Sequence, residues 1–302
     1  MRLSGKRVLV GAAVLLVGAA LAVGAGVAQA GSGSASGSLA ATRSGGSAQR
    51  VAVPAYWAAD TAGTARFDQL VAASPGMVVI NGPHNAAPIP FDPATAAQIH
   101  RLYDTGATVL GYVDTGYLGQ TGMVTTRVNP GSSQRADWRA QAQQDAADWF
   151  TLYGSYGLDG IFLDQTTSAC GADDVNVDTY DAIADHLRVK VPDAFVALNP
   201  GTDAEECYAH VADAMVIFEN TYAVYQQWTP PAWVARHDPR LFWHLIYAAP
   251  TATEMRDAVA LSKQRQAGFV YVTDDTIDAT GTPWDTLPPP GYWHDELHQV
   301  RQ

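Results

Sequence analysis

The sequence predicts a single (β/α)8 barrel of the TIM type, α/β in class, and three observations carry that expectation. Roughly 250 residues follow position 51, the usual length of such a barrel. Eight short apolar runs alternate with amphipathic stretches, the order that builds a parallel sheet covered by helices. The runs are continuously apolar, as strands buried on both faces must be.

The first run, 52–56, ends on Tyr56 with Trp57 behind it. Residues 57–73, which carry Gly63 and the aromatic Trp57 and Phe67, read as a decorated loop. Residues 77–81 form a second strand ending on Asn81, and 93–104 a helix opened by Pro93. The third strand, 108–114, ends on Asp114, with Tyr117 just beyond. Trp138, Ala142, Asp145, Trp149 and Leu152 then recur at helical spacing, which predicts a helix over 135–153 stopped by Gly154. Strand four, 160–164, ends on Asp164, and a helix is expected over 177–189. Strand five, 195–199, ends on Asn199, with a helix over 204–211. Strand six, 215–219, ends on Glu219, and 221–241, rich in Pro and aromatic residues, reads as a second decorated loop beginning near Tyr222. Strand seven, 242–247, ends on Tyr247 and precedes a helix over 253–266. Strand eight, 269–273, runs into Asp274 and Asp275. The closing segment 282–297 should cross the barrel without strand structure, because Pro283, Pro288, Pro289 and Pro290 prevent a ladder. Trp284, Tyr292 and Trp293 are its anchors.

The amino end speaks to location. Arg2, Lys6 and Arg7 precede an apolar stretch over 8–27, and Ala28-Gln29-Ala30 supplies a small-x-small cleavage pattern. Residues 1–30 therefore read as a secretory signal, residues 31–50 as a Ser/Gly-rich flexible linker, and 51–302 as the catalytic barrel. An uncleaved membrane anchor is the alternative, since the stretch is long enough to span a bilayer. Loss of the signal's three basic residues takes the formal net charge from −12 to −15. So acidic a surface argues against nucleic acid and anionic membranes as partners, and a monomer without membrane contact is expected after cleavage. Cys170 and Cys207 both lie in the exported part, a few residues past two strand ends, and should form a disulfide joining neighbouring loops.

In parallel barrels the rim at the carboxyl ends of the strands is where chemistry occurs. Asp164 and Glu219 both end apolar runs there and are the candidate catalytic pair. Glycoside hydrolysis needs two carboxyl groups, one protonated to help the leaving oxygen depart and one ionised to attack or activate water. Phe162 and Phe218 could lower the polarity beside them, favouring the protonated form of whichever acts as acid. Glu219 is assigned the acid role and Asp164 the nucleophile or stabilising role. The remaining rim residues, Tyr56, Asn81, Asp114, Tyr117, Asn199, Tyr222, Tyr247 and Asp274, mix amides, acids and aromatic faces, which suits a sugar.

Asp159-Gly-Ile-Phe-Leu-Asp164, Gly111-Tyr-Val-Asp-Thr-Gly-Tyr117, Leu198-Asn-Pro-Gly201, Val216-Ile-Phe-Glu219 and Pro283-Trp-Asp-x-Leu-Pro288 together resemble the spherulin 4 family. The resemblance covers 51–296. It implies a metal-free, retaining, endo-acting (β/α)8 hydrolase of galactosamine-containing exopolysaccharide such as galactosaminogalactan. In that family an Asp-Glu pair ends the fourth strand and a further Glu lies two strands on. Asp164 and Glu219 match the Asp and the distant Glu, whereas Gln165 stands where the neighbouring Glu is expected. Gln165 can hydrogen-bond a sugar but cannot carry charge or exchange a proton.

That departure motivates one rival reading, a carbohydrate-binding barrel with weakened catalysis. A second rival is a metal-dependent polysaccharide deacetylase, suggested by Asp114, Asp274 and Asp275. Against it, His84, His100, His186, His210, His237 and His244 are scattered, with no spacing among them that seats a metal, so no metal or cofactor is expected.

Overall fold

A computed structural model describes residues 48–279 and 281–302. The expected signal segment, and the expected linker up to residue 47, lie outside the described residues. Eight parallel strands close into a barrel in chain order. They are β1 (Arg50–Ala55), β2 (Met77–Ile80), β3 (Thr108–Asp114), β4 (Gly160–Asp164), β5 (Phe195–Leu198), β6 (Ala214–Thr221), β7 (Phe242–Tyr247) and β8 (Phe269–Val272). The helices are α1 (Thr61–Ala73), α2 (Pro93–Tyr103), α3 (Arg135–Tyr153), α4 (Val175–Arg188), α5 (Tyr222–Gln227), α6 (Ala252–Gln264) and α7 (Pro290–Arg301).

Strands β3, β4 and β7 and helix α3 have the bounds their patterns predict. Helix α3 buries Trp138, Ala142, Asp145 and Trp149. The Trp149 indole N–H donates to the Tyr112 carbonyl at 2.7 Å, and its ring comes so close to β3 that a Cβ on Gly111 would meet it at 2.4 Å. A side chain there would collide with the ring, so Gly111 is what lets α3 seat against the strand.

Three expectations need correction. Residues 57–73 are not a loop: Asp60 caps α1 by accepting from the Gly63 amide, and Phe67, Leu70 and Ala73 bury its inner face. Much of α1 is alanine and short polar residues, so its apolar stripe is faint in the sequence. Residues 204–211 form only a 3-10 turn, Glu206–His210, in the connection between β5 and β6. The barrel also starts before residue 51, since Arg50 opens β1 and the buried Gln49 amide donates to Ser262 Oγ and the Ala267 carbonyl.

Cys170 and Cys207 are joined, with Cα atoms 6.1 Å apart, tying the segment after β4 to the β5–β6 connection. The closing segment has no strand, and its second half is α7, with Trp284, Tyr292 and Trp293 buried. Helix α7 also bonds to the last strand. Strands β1 and β8 share just two register pairs, Arg50 with Phe269 and Val51 with Val270. Above them the Val272 amide donates to Glu296 Oε1 of α7 at 2.8 Å. Among the described residues no helix is long and apolar enough to cross a membrane.

Candidate active site

The site grows from the register of β3 and β4. Tyr112 pairs with Phe162 and Asp114 with Asp164, so these side chains share one face of the sheet. Phe162 touches Trp243 of β7, which is not a neighbouring strand, so that face is the barrel interior. At the rim the Tyr112 hydroxyl donates to Asp164 Oδ2. Asn199 lies one residue past β5, its backbone pinned to β4 through bonds to the Leu163 carbonyl and from the Thr166 amide. Its side-chain nitrogen donates to Asp164 Oδ1 at 2.6 Å and to Glu219 Oε2 at 2.8 Å. One amide thus holds both candidate catalytic carboxyl groups.

A bulge aims Glu219 at this amide. Val216 pairs with inward-facing Trp243, and strict alternation would turn residue 219 outward. The register slips between Val216 and Phe218, so Phe218 pairs with His244 and Glu219 with Leu245. One extra residue exchanges the two faces of a strand. Phe218 therefore packs outward on Tyr225 and Trp228 and does not flank the pair as its neighbour in sequence would suggest. The apolar cover of Glu219 comes instead from Trp284, whose indole N–H donates to Oε1 at 2.8 Å.

Burial raises the pKa of both carboxyl groups. Glu219 is pushed up to about 7, by desolvation and then by the Asp164 charge, against the opposing bonds from Asn199 and Trp284. Asp164 is also raised by desolvation, but Tyr112, the Gln165 amide and Asn199 all favour its ionised form. Asp114 is pushed up to about 7 by desolvation, opposed by its bond from the Gly116 amide and reinforced by the Asp164 charge.

Three aromatic residues close in on the pair. Tyr56 meets Tyr112 edge-on at 5.3 Å, and its amide donates to the Trp284 carbonyl. Tyr247 meets Trp284 edge-on at 6.0 Å. Tyr117 has its hydroxyl pushed up to about 12 by burial and then by the charges on Asp164 and Glu219.

Other expected site residues have further partners of their own. Strand β6 runs on to Thr221, which caps α5, so Tyr222 opens that helix and its hydroxyl donates to Asp257 of α6. Asn81 donates to Asn85 in the turn after β2. Asp274 lines a separate cavity of about 630 Å³ with Arg66, Asp275 and Asp285, and its pKa is raised by burial and then by the charge of Asp275. Gln165 has a left-handed backbone (φ 53°), its carbonyl accepts from the Tyr117 amide and Thr115 Oγ1, and its Oε1 is buried with no partner among the described residues.

The acids suggested for a metal do not gather. Among the described residues the one His, Cys, Asp or Glu cluster tight enough to share an ion is Cys170, Glu205 and Cys207, and both sulfurs are in the disulfide. His294 and His298 do stand four apart on α7, but both are exposed, and the ring of His298 meets the Gln302 amide.

Tyr112 is the contact the sequence reading missed. It stands two residues before Asp114 on a strand of alternating faces, which is enough to turn it into the same interior. The contact of Trp284 with Glu219 spans 65 positions and had no local signal.

Fold and rim together define a (β/α)8 barrel with the architecture of the glycoside hydrolases. A solved structure of Aspergillus clavatus Sph3 in complex with GalNAc superposes with a TM-score of 0.64 at 22% identity, over 85% of this chain and 99% of that one. A chitinase from Chromobacterium violaceum does so with a TM-score of 0.52 at 14% identity, over 83% and 99%. Residues 50–300 match spherulation-specific family 4, and the chain belongs to that family. It is 25% identical to spherulin-4 of Physarum polycephalum over 203 residues, 64% of this chain and 53% of that protein, so it spans about half the length of that relative.

Proposed function

We propose that this protein is an exported glycoside hydrolase of amino-sugar-containing exopolysaccharide, with Asp164 as nucleophile and Glu219 as acid and base. The observation that carries the reading is the single Asn199 nitrogen donating to both carboxyl groups. Its two bonds keep the acceptor oxygens within about 5.5 Å, which favours retention over the ~6.5–9.5 Å separation of inverting enzymes. The division of roles follows from the donors: Asp164 has three that favour its charge, and Glu219, nearer neutrality, is suited to give a proton. Family membership and the GalNAc bound by Sph3 favour galactosamine polymers as substrate. The disulfide accords with an oxidising, extracellular setting.

Incubating the protein with amino-sugar polymers should release new reducing ends. Glu219 must hold its proton to act as acid, so kcat/KM should fall as pH rises through about 7. Sugar binding without any new reducing ends would favour the binding-barrel reading instead.

Gln165→Glu is the informative companion. The pair is already complete through Asn199, so the change should alter turnover by less than about tenfold while raising the pKa of the neighbouring acids. A gain of a hundredfold or more in reducing-end release would show that the missing second carboxyl at the end of β4 is required.

A further inference from the structure

We propose that Asn199 is the positioning residue of this site: its one amide nitrogen sets the spacing of Asp164 and Glu219 and narrows the lone pairs on which each can carry a proton. This rests on the two-carboxylate reading above and adds to it a group that acts through the two carboxyl groups.

The orientation of the amide follows from its neighbours. Asp164, ionised as nucleophile, only accepts, so the nitrogen and not the oxygen must face it, and the same nitrogen reaches Glu219. Both N–H bonds are thereby used, and Asn199 Oδ1 is left buried with no partner among the described residues. An orphaned carbonyl opposes folding, so this arrangement is not one that packing alone would select. The residue is 6% exposed, and its backbone is bonded to β4 on both sides, so the amide moves with the strand that carries Asp164.

The consequence is a restriction on the proton. A proton on Asp164 Oδ1 or Glu219 Oε2 in the direction of Asn199 would meet an N–H head-on. Tyr112 occupies one direction at Asp164 Oδ2, and Trp284 one at Glu219 Oε1. The proton of either acid is thus confined to lone pairs turned away from these donors.

The test uses the full chain with Asn199→Leu, close in size but without a donor, and Asn199→Asp, the same shape with one donor only when protonated. Carboxyl titrations followed by carbon NMR read Asp164 and Glu219 directly, and pH–rate profiles follow turnover. Removing a donor to the charged form raises a carboxyl pKa. Asn199→Leu should therefore raise both titrations by about one unit and move the whole rate profile to higher pH. It should also lower kcat by roughly ten- to a hundredfold with KM nearly unchanged, a loss confined to the transition state. Asn199→Asp should recover activity as pH falls, when its carboxyl regains a proton to donate. Titrations unmoved in Asn199→Leu, with only melting temperature or KM changed, would overturn the proposal. If Asn199→Leu does not fold, a rate profile of Asn199→Asp without recovery at low pH overturns it equally. Should the wild-type protein cleave no glycan, the titrations still decide the role of Asn199, while the hydrolase reading fails on its own.

Discussion

Asp164→Asn and Glu219→Gln are each expected to reduce turnover by roughly 10²–10⁴-fold while leaving the barrel folded and sugar binding largely intact. Both changes keep the shape of the side chain and remove charge and proton transfer. Neither should destabilise the fold much, because burial already disfavours the charged form of each group. The two variants should also differ from each other. The Asp164 charge is the second cause of the raised pKa of Glu219, so Asp164→Asn should lower the Glu219 titration, seen by carbon NMR. Either variant retaining more than about a third of wild-type reducing-end release would remove its residue from the mechanism.

The second large effect is on stability. Replacing Cys170 and Cys207 together by Ser frees a loop of 37 residues, and chain-entropy arguments assign such a closure about 3–4 kcal/mol. In a domain of this size that corresponds to a fall in melting temperature of roughly 10 °C. The effect should reach the site, since the bridged segments begin from the strand ends that carry Asp164 and Asn199. A drop of less than about 2 °C in calorimetry would mean that the loops are held by other contacts, such as the Cys170 amide to Glu205.

What could be read from the sequence depended on how local its cause was. Strands β3, β4 and β7 announce themselves as apolar runs ending in a polar residue, and α3 as tryptophans one helical face apart. Helix α1 was hidden because its buried face is small and its polar residues are short. Asp164, Glu219 and Asn199 were legible as strand ends, and the structure brings them to one amide. The inward turn of Glu219 was not, because it depends on a bulge that pairing with β7 creates. Tyr222, three positions on, looked equally placed for the rim, but Thr221 starts a helix and turns it to Asp257. Trp284 reaches Glu219 only through the closed fold.

The seam between β1 and β8 bears on the order in which this molecule can be made. Two register pairs are a weak join, and the amide above them is satisfied by Glu296, a carboxyl from an element that begins at Pro290, after every strand has been laid down. A chain emerging from a ribosome can lay down all eight strands and still lack the acceptor for one buried amide of the last. That amide is satisfied only when α7 arrives, so β8 is completed by a helix that follows it in the chain.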